Sequence, residues 1–261
     1  IGLFFGSVSV RLKEIAWDMD AVGNFAFRLT PFASAPSRIR EINAMTHALV
    51  KMKVGLQSLM KYVPVDLIKK LIASGKAAAP GAESREVTVF FADMAGFTAM
   101  AEKLQPDEAA KIIETFLTGT SRLVHKEKGM IDKFMGDAIM ALWGVPDPIP
   151  HPALAACRTA LSMARFFHSD PQMKHRIGIN TGLAMVGNFG SEERIDYTAL
   201  GDTVNIAFRL EKLNKQYGTT ILIGPETAAA VQETLLVRPL HWVTLEGRAA
   251  PLLIYELLGE K

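Results

Sequence analysis

The sequence holds a single cysteine, Cys157, in 261 residues. One thiol excludes a disulfide framework within the chain and fits a reducing compartment. It lies in an alanine-rich helical stretch and reads as a buried, inert thiol. No apolar run reaches the roughly 18 residues that cross a bilayer. An excess of one charge is missing too: 29 Lys and Arg meet 27 Asp and Glu, a net charge of +2. Without a basic block, nucleic acid is not an expected partner. An initiator methionine is also lacking. The chain opens Ile1-Gly2-Leu3-Phe4-Phe5, and Arg11 and Lys13 follow. That opening reads as the stump of a membrane helix with its positive flank, which would set the remainder on the cytoplasmic face of a membrane. What is present in quantity is apolar: 49% of residues, ample for a core. The length allows one large domain, or a medium domain with an appendage.

Residues 38–63 carry a heptad pattern. Ile42, Met45, Leu49, Met52, Leu56, Leu59 and Val63 alternate spacings of three and four. A narrow seam of this kind predicts a parallel coiled coil and hence a homodimer. A first helix, Val8 to Val22, precedes a proline-containing connector, Leu29 to Pro36. Helix, connector and helix together resemble a HAMP signalling module. Arg40-Glu41-Ile42-Asn43 shares Glu41 and the apolar position with that module's Asp-Glu-x-Gly signature; the proline usual in the first helix is absent. The expected division is a helical dimerisation and signalling module over 1–57, a linker with a short helix over 58–85, and a catalytic domain over 86–261.

The chemistry begins in the third part. Val87 to Ala92 is an apolar strand that ends on a carboxylate, Asp93, and runs on through Met94-Ala95-Gly96-Phe97-Thr98. A second carboxylate, Asp137, follows Gly136 at the tip of a predicted hairpin over 130–143. Taken singly, each is an ordinary turn, because Asp and Gly suit turns. Together, two aspartates at neighbouring strand ends can hold a pair of hard cations beside a phosphate-sized turn. That combination suggests metal-assisted chemistry on a nucleotide. Strands and helices alternate through the rest: strands at 86–92, 175–180, 183–188, 219–223, 235–245 and 250–257, and helices at 106–127, 152–168, 202–216 and 225–233. Two β-α-β halves with antiparallel pairing give an α+β, ferredoxin-like βαββαβ sandwich.

A third block makes the pattern specific. Residues 177–211 include Ile-Asp-Tyr-Thr-Ala-Leu-Gly-Asp-Thr-Val-Asn-Ile-Ala-Phe-Arg-Leu-Glu, from Ile195 to Glu211. The three ordered blocks resemble the catalytic domain of class III adenylyl and guanylyl cyclases, from about Glu86 to Leu258. The resemblance implies cyclisation of a nucleoside triphosphate with two Mg²⁺ or Mn²⁺ ions. Their ligands would be Asp93, Asp137 and the carbonyl of Met94. Gly96, Phe97 and Thr98 would turn backbone N–H groups toward the phosphates. Lys133 and Thr198 fall where the family places its purine-reading pair. Lys resembles adenylyl cyclases there, since an ammonium donates to adenine N1, whereas guanine N1 carries a proton. Thr198 resembles the class IIIb subgroup; its hydroxyl can donate or accept and so discriminates less sharply than a carboxylate. Asn205 and Arg209, four apart on one helix face, would orient the ribose and stabilise transition-state charge. One position departs from the family: Leu245-Glu246-Gly247-Arg248 stands where Leu-Lys-Gly is usual.

In this family the metal aspartates come from one subunit and the base-reading, Asn and Arg residues from the other. A chain carrying both sets needs only a copy of itself. The leading expectation is therefore a homodimeric adenylyl cyclase making cyclic AMP from ATP, driven by an upstream sensor. The alternative is a weak or silent cyclase-like module that binds nucleotide and transmits a signal by dimerising, with Glu246 marking lost catalysis. Guanylyl cyclase activity is a third reading.

Overall fold

The computed structural model describes residues 2–23, 39–60, 62–75, 79–191, 193–245 and 250–261. The Leu29–Pro36 connector and the Glu246–Arg248 loop lie outside them. The chain forms two compact units, Ile1–Ala77 and Ala78–Lys261.

The first unit holds α1 (Gly2–Gly23), α2 (Arg40–Leu59) and α3 (Val65–Ser74). In it the heptad seam splits. Ile42, Leu49 and Leu56 of α2 pack on Ile15 and Val22 of α1. Leu49 is only 2% exposed, and burying such a side chain is worth about 2 kcal/mol. A buried Lys53–Asp18 ion pair joins the same two helices. The alternate seam positions Met45, Met52 and Leu59 remain exposed. Half of the predicted stripe thus serves this chain's own helix pair. No described helix is long and apolar enough to cross a membrane.

The second unit is built on a sheet ordered β2-β3-β1-β4-β6-β8-β7, with β5 paired to β4. Its strands are β1 (Gly81–Met94), β2 (Met130–Met135), β3 (Ala138–Trp143), β4 (His175–Gly190), β5 (Ile195–Leu200), β6 (Ile221–Ile223), β7 (Leu235–Val243) and β8 (Leu252–Glu260). The helices are α4 (Phe97–Ala101), α5 (Pro106–Lys126), α6 (Pro152–Phe166), α7 (Asp202–Tyr217) and α8 (Pro225–Val231). The run β1-α5-β2-β3-α6-β4 is the expected βαββαβ unit.

β1 is apolar throughout its middle because both faces are covered. Phe90, Ala92 and Met94 point into a core shared with residues of α5 and α6, among them Phe116 and Met163. Val87, Val89 and Phe91 point into a second core with β5 and α7, through Ala199 and Ala207. Strand alternation then carries Asp93 to the α7 face and leaves the Met94 side chain anchored in the first core. α5 starts where a sequence reading expects it. Pro106 opens the helix, and a capping box pairs Gln105 with Glu108.

Three expectations shift. β1 begins at Gly81, because Gly81–Arg85 pair with Ala184–Asn188. The strands expected at 175–180 and 183–188 are one continuous β4. Its outer half has a partner that the pattern did not announce, β5, in register from Met185↔Leu200 to Gly190↔Ile195. The thiol of Cys157 is fully buried in the first core, and burial pushes its pKa up, as an inert thiol requires.

Candidate active site

Asp93 is the last outward-facing residue of β1, and Asp137 sits in the two-residue turn joining β2 to β3. The register Ala92↔Ile139 sets these strand ends side by side. The two carboxyl groups are close enough to interact: burial first, then the neighbouring Asp93 carboxyl, push Asp137 up to about 6. Two carboxylates this close resist ionising together, and the pair relaxes by taking up either a proton or a cation.

Arg176, paired with Asp93 across β4, partly balances the pair. Its Nη2 lies 3.3 Å from Asp93 Oδ2. Its Nε lies 3.3 Å from Oε1 of Glu211, an ion pair without hydrogen-bond alignment. The Glu211 side chain is 3% exposed. Burial, then the charge of Asp93, raises it to about 7, while Arg176 and Lys212 oppose the shift. Sequence reasoning assigned neither Arg176 nor Glu211 a role. Gly178 explains why Glu211 reaches this place. A Cβ there would stand 2.2 Å from both Ala207 O and Glu211 N. Only glycine lets α7 lie this close on the sheet.

Hard oxygen ligands suit Mg²⁺ or Mn²⁺. Among the described residues no three His, Cys, Asp or Glu side chains converge into a complete cage. Mg²⁺ is usually held in another way, by one or two carboxylates with substrate phosphates and water. Asp93 and Asp137 fit that pattern, and Glu211, already engaged by Arg176, stands behind them. After Met94 the chain turns sharply. Ala95 N–H donates to Lys174 O at 2.7 Å, and Gly96 takes φ +78, the left-handed region that favours glycine. Phe97 packs on the core, while Thr98 is exposed at the start of α4. Early helix amides have no carbonyl partner within a helix.

A second cluster forms on β2 and β5. Ile131 pairs with Ala141 and Lys133 with Met140, so Asp132 is the extra residue of a β-bulge. Its side chain is 1% exposed, and Lys133 Nζ lies 3.3 Å from Oδ1. Thr198 Oγ1 donates to Oδ2 at 2.5 Å. The expected base-reading residues, Lys133 and Thr198, are therefore brought together through Asp132, which the sequence reading left without a function. Burial raises the Asp132 pKa; the bonds from Thr198, Lys133 and the Ala199 amide act against that rise.

Asn205 and Arg209 share a face of α7, one exposed and the other partly so. Nearby, Phe208 is exposed with its ring 5.4 Å from that of Phe91. Leu183, Met185 and Leu200 are exposed as well, and Met185 and Leu200 are direct cross-strand partners. No hydrogen bond or ion pair among the described residues links the Asp93–Asp137 cluster to the Lys133–Thr198 cluster.

The family profile described as the adenylate and guanylate cyclase catalytic domain matches residues 80–258. Adenylate cyclase 1 of Rhizobium meliloti (strain 1021) is 35% identical over 232 residues, which are 85% of this chain and 35% of that protein. The chain thus spans about a third of the length of this curated relative. The crystal structure of the adenylyl cyclase CyaB from P. aeruginosa is 30% identical, with a TM-score of 0.65, over 70% of this chain and 98% of that one. The guanylyl cyclase Cya2 is also 30% identical, with a TM-score of 0.61, over 70% and 96%. Likeness of fold alone does not separate the two nucleotide specificities. The carboxylate pair at the end of β1, its βαββαβ frame and these matches agree: the chain belongs to the adenylate and guanylate cyclase catalytic domain family.

Proposed function

We propose that this chain is the catalytic part of an adenylate cyclase, converting ATP to 3′,5′-cyclic AMP and pyrophosphate at a homodimer interface. The observation that carries the reading is the placement of Asp93 and Asp137 side by side at neighbouring strand ends, where two interacting carboxylates can take up cations. Divalent ions held there, with the Met94 carbonyl, would supply Lewis-acid activation of the 3′-hydroxyl and neutralise the triphosphate.

The remaining work falls to the chain's own groups. O3′ attacks the α-phosphorus, the bond to the pyrophosphate oxygen breaks, and the hydroxyl proton leaves to solvent. Amides at Gly96, Phe97 and Thr98 contact the outer phosphates. Arg209 faces the charge that develops on the transferred phosphoryl group, where a fixed guanidinium acts most strongly. Asn205 holds the ribose so that O3′ lies in line. Lys133 and Thr198 read the purine edge.

Among the described residues the two clusters share no polar contact, which supports a site completed by a second copy. The exposed Leu183, Met185, Leu200 and Phe208 beside α7 give such a copy an apolar surface. The exposed half of the seam, Met45, Met52 and Leu59, gives the helical unit one as well. In this reading the helical unit transmits the state of an upstream sensor in the same polypeptide, held at the cytoplasmic face of a membrane, by reorienting the two catalytic halves.

The test is product identification. The purified chain is incubated with ATP and with GTP, side by side, with Mn²⁺. Cyclic AMP as the main product supports the proposal. Cyclic GMP as the main product would replace it with a guanylyl cyclase. No cyclic product, with nucleotide still bound, would favour a silent signalling module.

A further inference from the structure

A threonine hydroxyl in a purine pocket is ambiguous. It has one proton to give and lone pairs to receive. Adenine carries an exocyclic amine, a donor, where guanine carries an oxygen, an acceptor. A freely rotating hydroxyl satisfies either base and selects neither.

Thr198 is not free to rotate. Its Oγ1 donates to Oδ2 of Asp132 at 2.5 Å, inside a protein wall where Asp132 is 1% exposed. An ionised carboxylate only accepts, and a charge-assisted O–H···O⁻ bond is short and strong. Burial raises the Asp132 pKa, and three neighbours oppose that rise and favour the ionised form: the Thr198 hydroxyl, the Lys133 ammonium and the Ala199 amide. Once its proton is committed to Asp132, Thr198 has only lone pairs left for a ligand. The same carboxylate holds Lys133, whose Nζ lies 3.3 Å away and whose side chain stays partly exposed, with further protons to donate. One buried group thus sets the hydrogen-bonding sense of Thr198 and the position of Lys133. The bulge makes this geometry available. In a regular strand Asp132 and Lys133 would point to opposite faces; the extra residue re-aims Asp132.

We propose that Asp132 is a specificity-determining positioning residue: by fixing Thr198 as an acceptor and holding the donor Lys133 beside it, it makes the pocket complementary to adenine and adverse to guanine. The inference rests on the assignment of Lys133 and Thr198 as base readers. It goes beyond that assignment in placing nucleotide choice on a residue that need not touch the base.

The wild-type chain gives the first measurement. Purine riboside triphosphate keeps the N1 acceptor but lacks the 6-amino group. If Thr198 accepts from that amine, kcat/KM for this analogue should fall at least tenfold below that for ATP. Equal rates would overturn the proposal. Next, Asp132→Asn keeps the shape but can donate to Thr198 and so frees its proton. The ATP-to-GTP ratio of kcat/KM should drop at least tenfold, and the penalty on the analogue should shrink. Adding Thr198→Asp to Asp132→Asn supplies an acceptor that needs no orienting, so the double variant should regain the ATP preference. A purely structural Asp132 would lower turnover of both nucleotides alike and would not be rescued; that result refutes the proposal. Thr198→Val and Lys133→Ala keep the two failures apart. If they shift the ATP-to-GTP ratio and Asp132→Asn does not, the orienting role is wrong and the base-reading assignment survives. If neither shifts it, the assignment itself is wrong.

Discussion

Asp137→Asn should stabilise the metal-free protein at pH 8 while removing its response to divalent cations. In the wild type, burial and Asp93 raise Asp137 from an ordinary 3.8 to about 6. A carboxyl raised on folding favours the folded state below its unfolded value, and that advantage is lost as pH rises through the folded value. Above pH 6 the metal-free protein therefore holds two repelling carboxylates. Asparagine keeps the shape and removes the repulsion. Cation binding has the opposite trend, because the ligand must first lose its proton. At pH 5 only about a tenth of a group with a pKa of 6 is ionised, which weakens apparent affinity up to roughly tenfold relative to pH 7.5. Asp137 is partly exposed, so solvent screening reduces this to about three- to tenfold. The assay is thermal unfolding of both proteins from pH 5 to 8, with and without Mn²⁺, together with direct Mn²⁺ titration. The wild-type Mn²⁺ affinity should climb between pH 5 and 7.5, and the variant should show no such climb. An affinity flat across that range, or a variant less stable than wild type at pH 8 without metal, would refute the reasoning.

Gly178→Ala should destabilise the catalytic unit by about 3 kcal/mol, at the upper end for an overpacked site, because the new Cβ meets the backbone of α7 at 2.2 Å. Urea unfolding checks this, and a change under about 0.5 kcal/mol would mean the helix has room to move. Asp93→Ala and Arg209→Ala, each nearly inactive alone, should recover about a quarter of wild-type activity when their subunits are exchanged, since half the dimers then hold one intact site of two; a mixture as inactive as its parents would rule out a site split between copies. Met45→Lys with Met52→Lys should shift the chain toward monomer in sedimentation without unfolding α1 and α2, because both methionines are exposed. Leu49→Lys should melt that helix pair, because Leu49 is in its core; an unchanged dimer in the methionine variant would show that the exposed half of the seam bears no partner.

The sequence by itself determined the elements that depend on local pattern. The apolar run 87–92 must be buried on both faces, and the strand period then puts Asp93 at its end on one chosen side. Gly136-Asp137 must form a tight turn between two strands. The period of α7 must put Asn205 and Arg209 on one face. Such features follow from residues close in the chain, so the expected α+β sandwich and the placement of Asp93 and Asp137 at neighbouring strand ends were legible without coordinates. What tertiary structure alone decided depends on residues far apart. β5 has no strong signal of its own and is a strand because the long β4 offers it an edge. Strand alternation alone would send Asp132 away from Lys133; a bulge and a partner on β5 turn it toward Lys133 and Thr198. Glu211, two places after Arg209, carries no local signal of its own. It is buried against Arg176 because a glycine on another strand lets α7 settle onto the sheet. The heptad seam showed which residues are apolar but not which neighbour each would meet. Its division between α1 and an exposed stripe was fixed by packing, because apolar burial has no direction of its own.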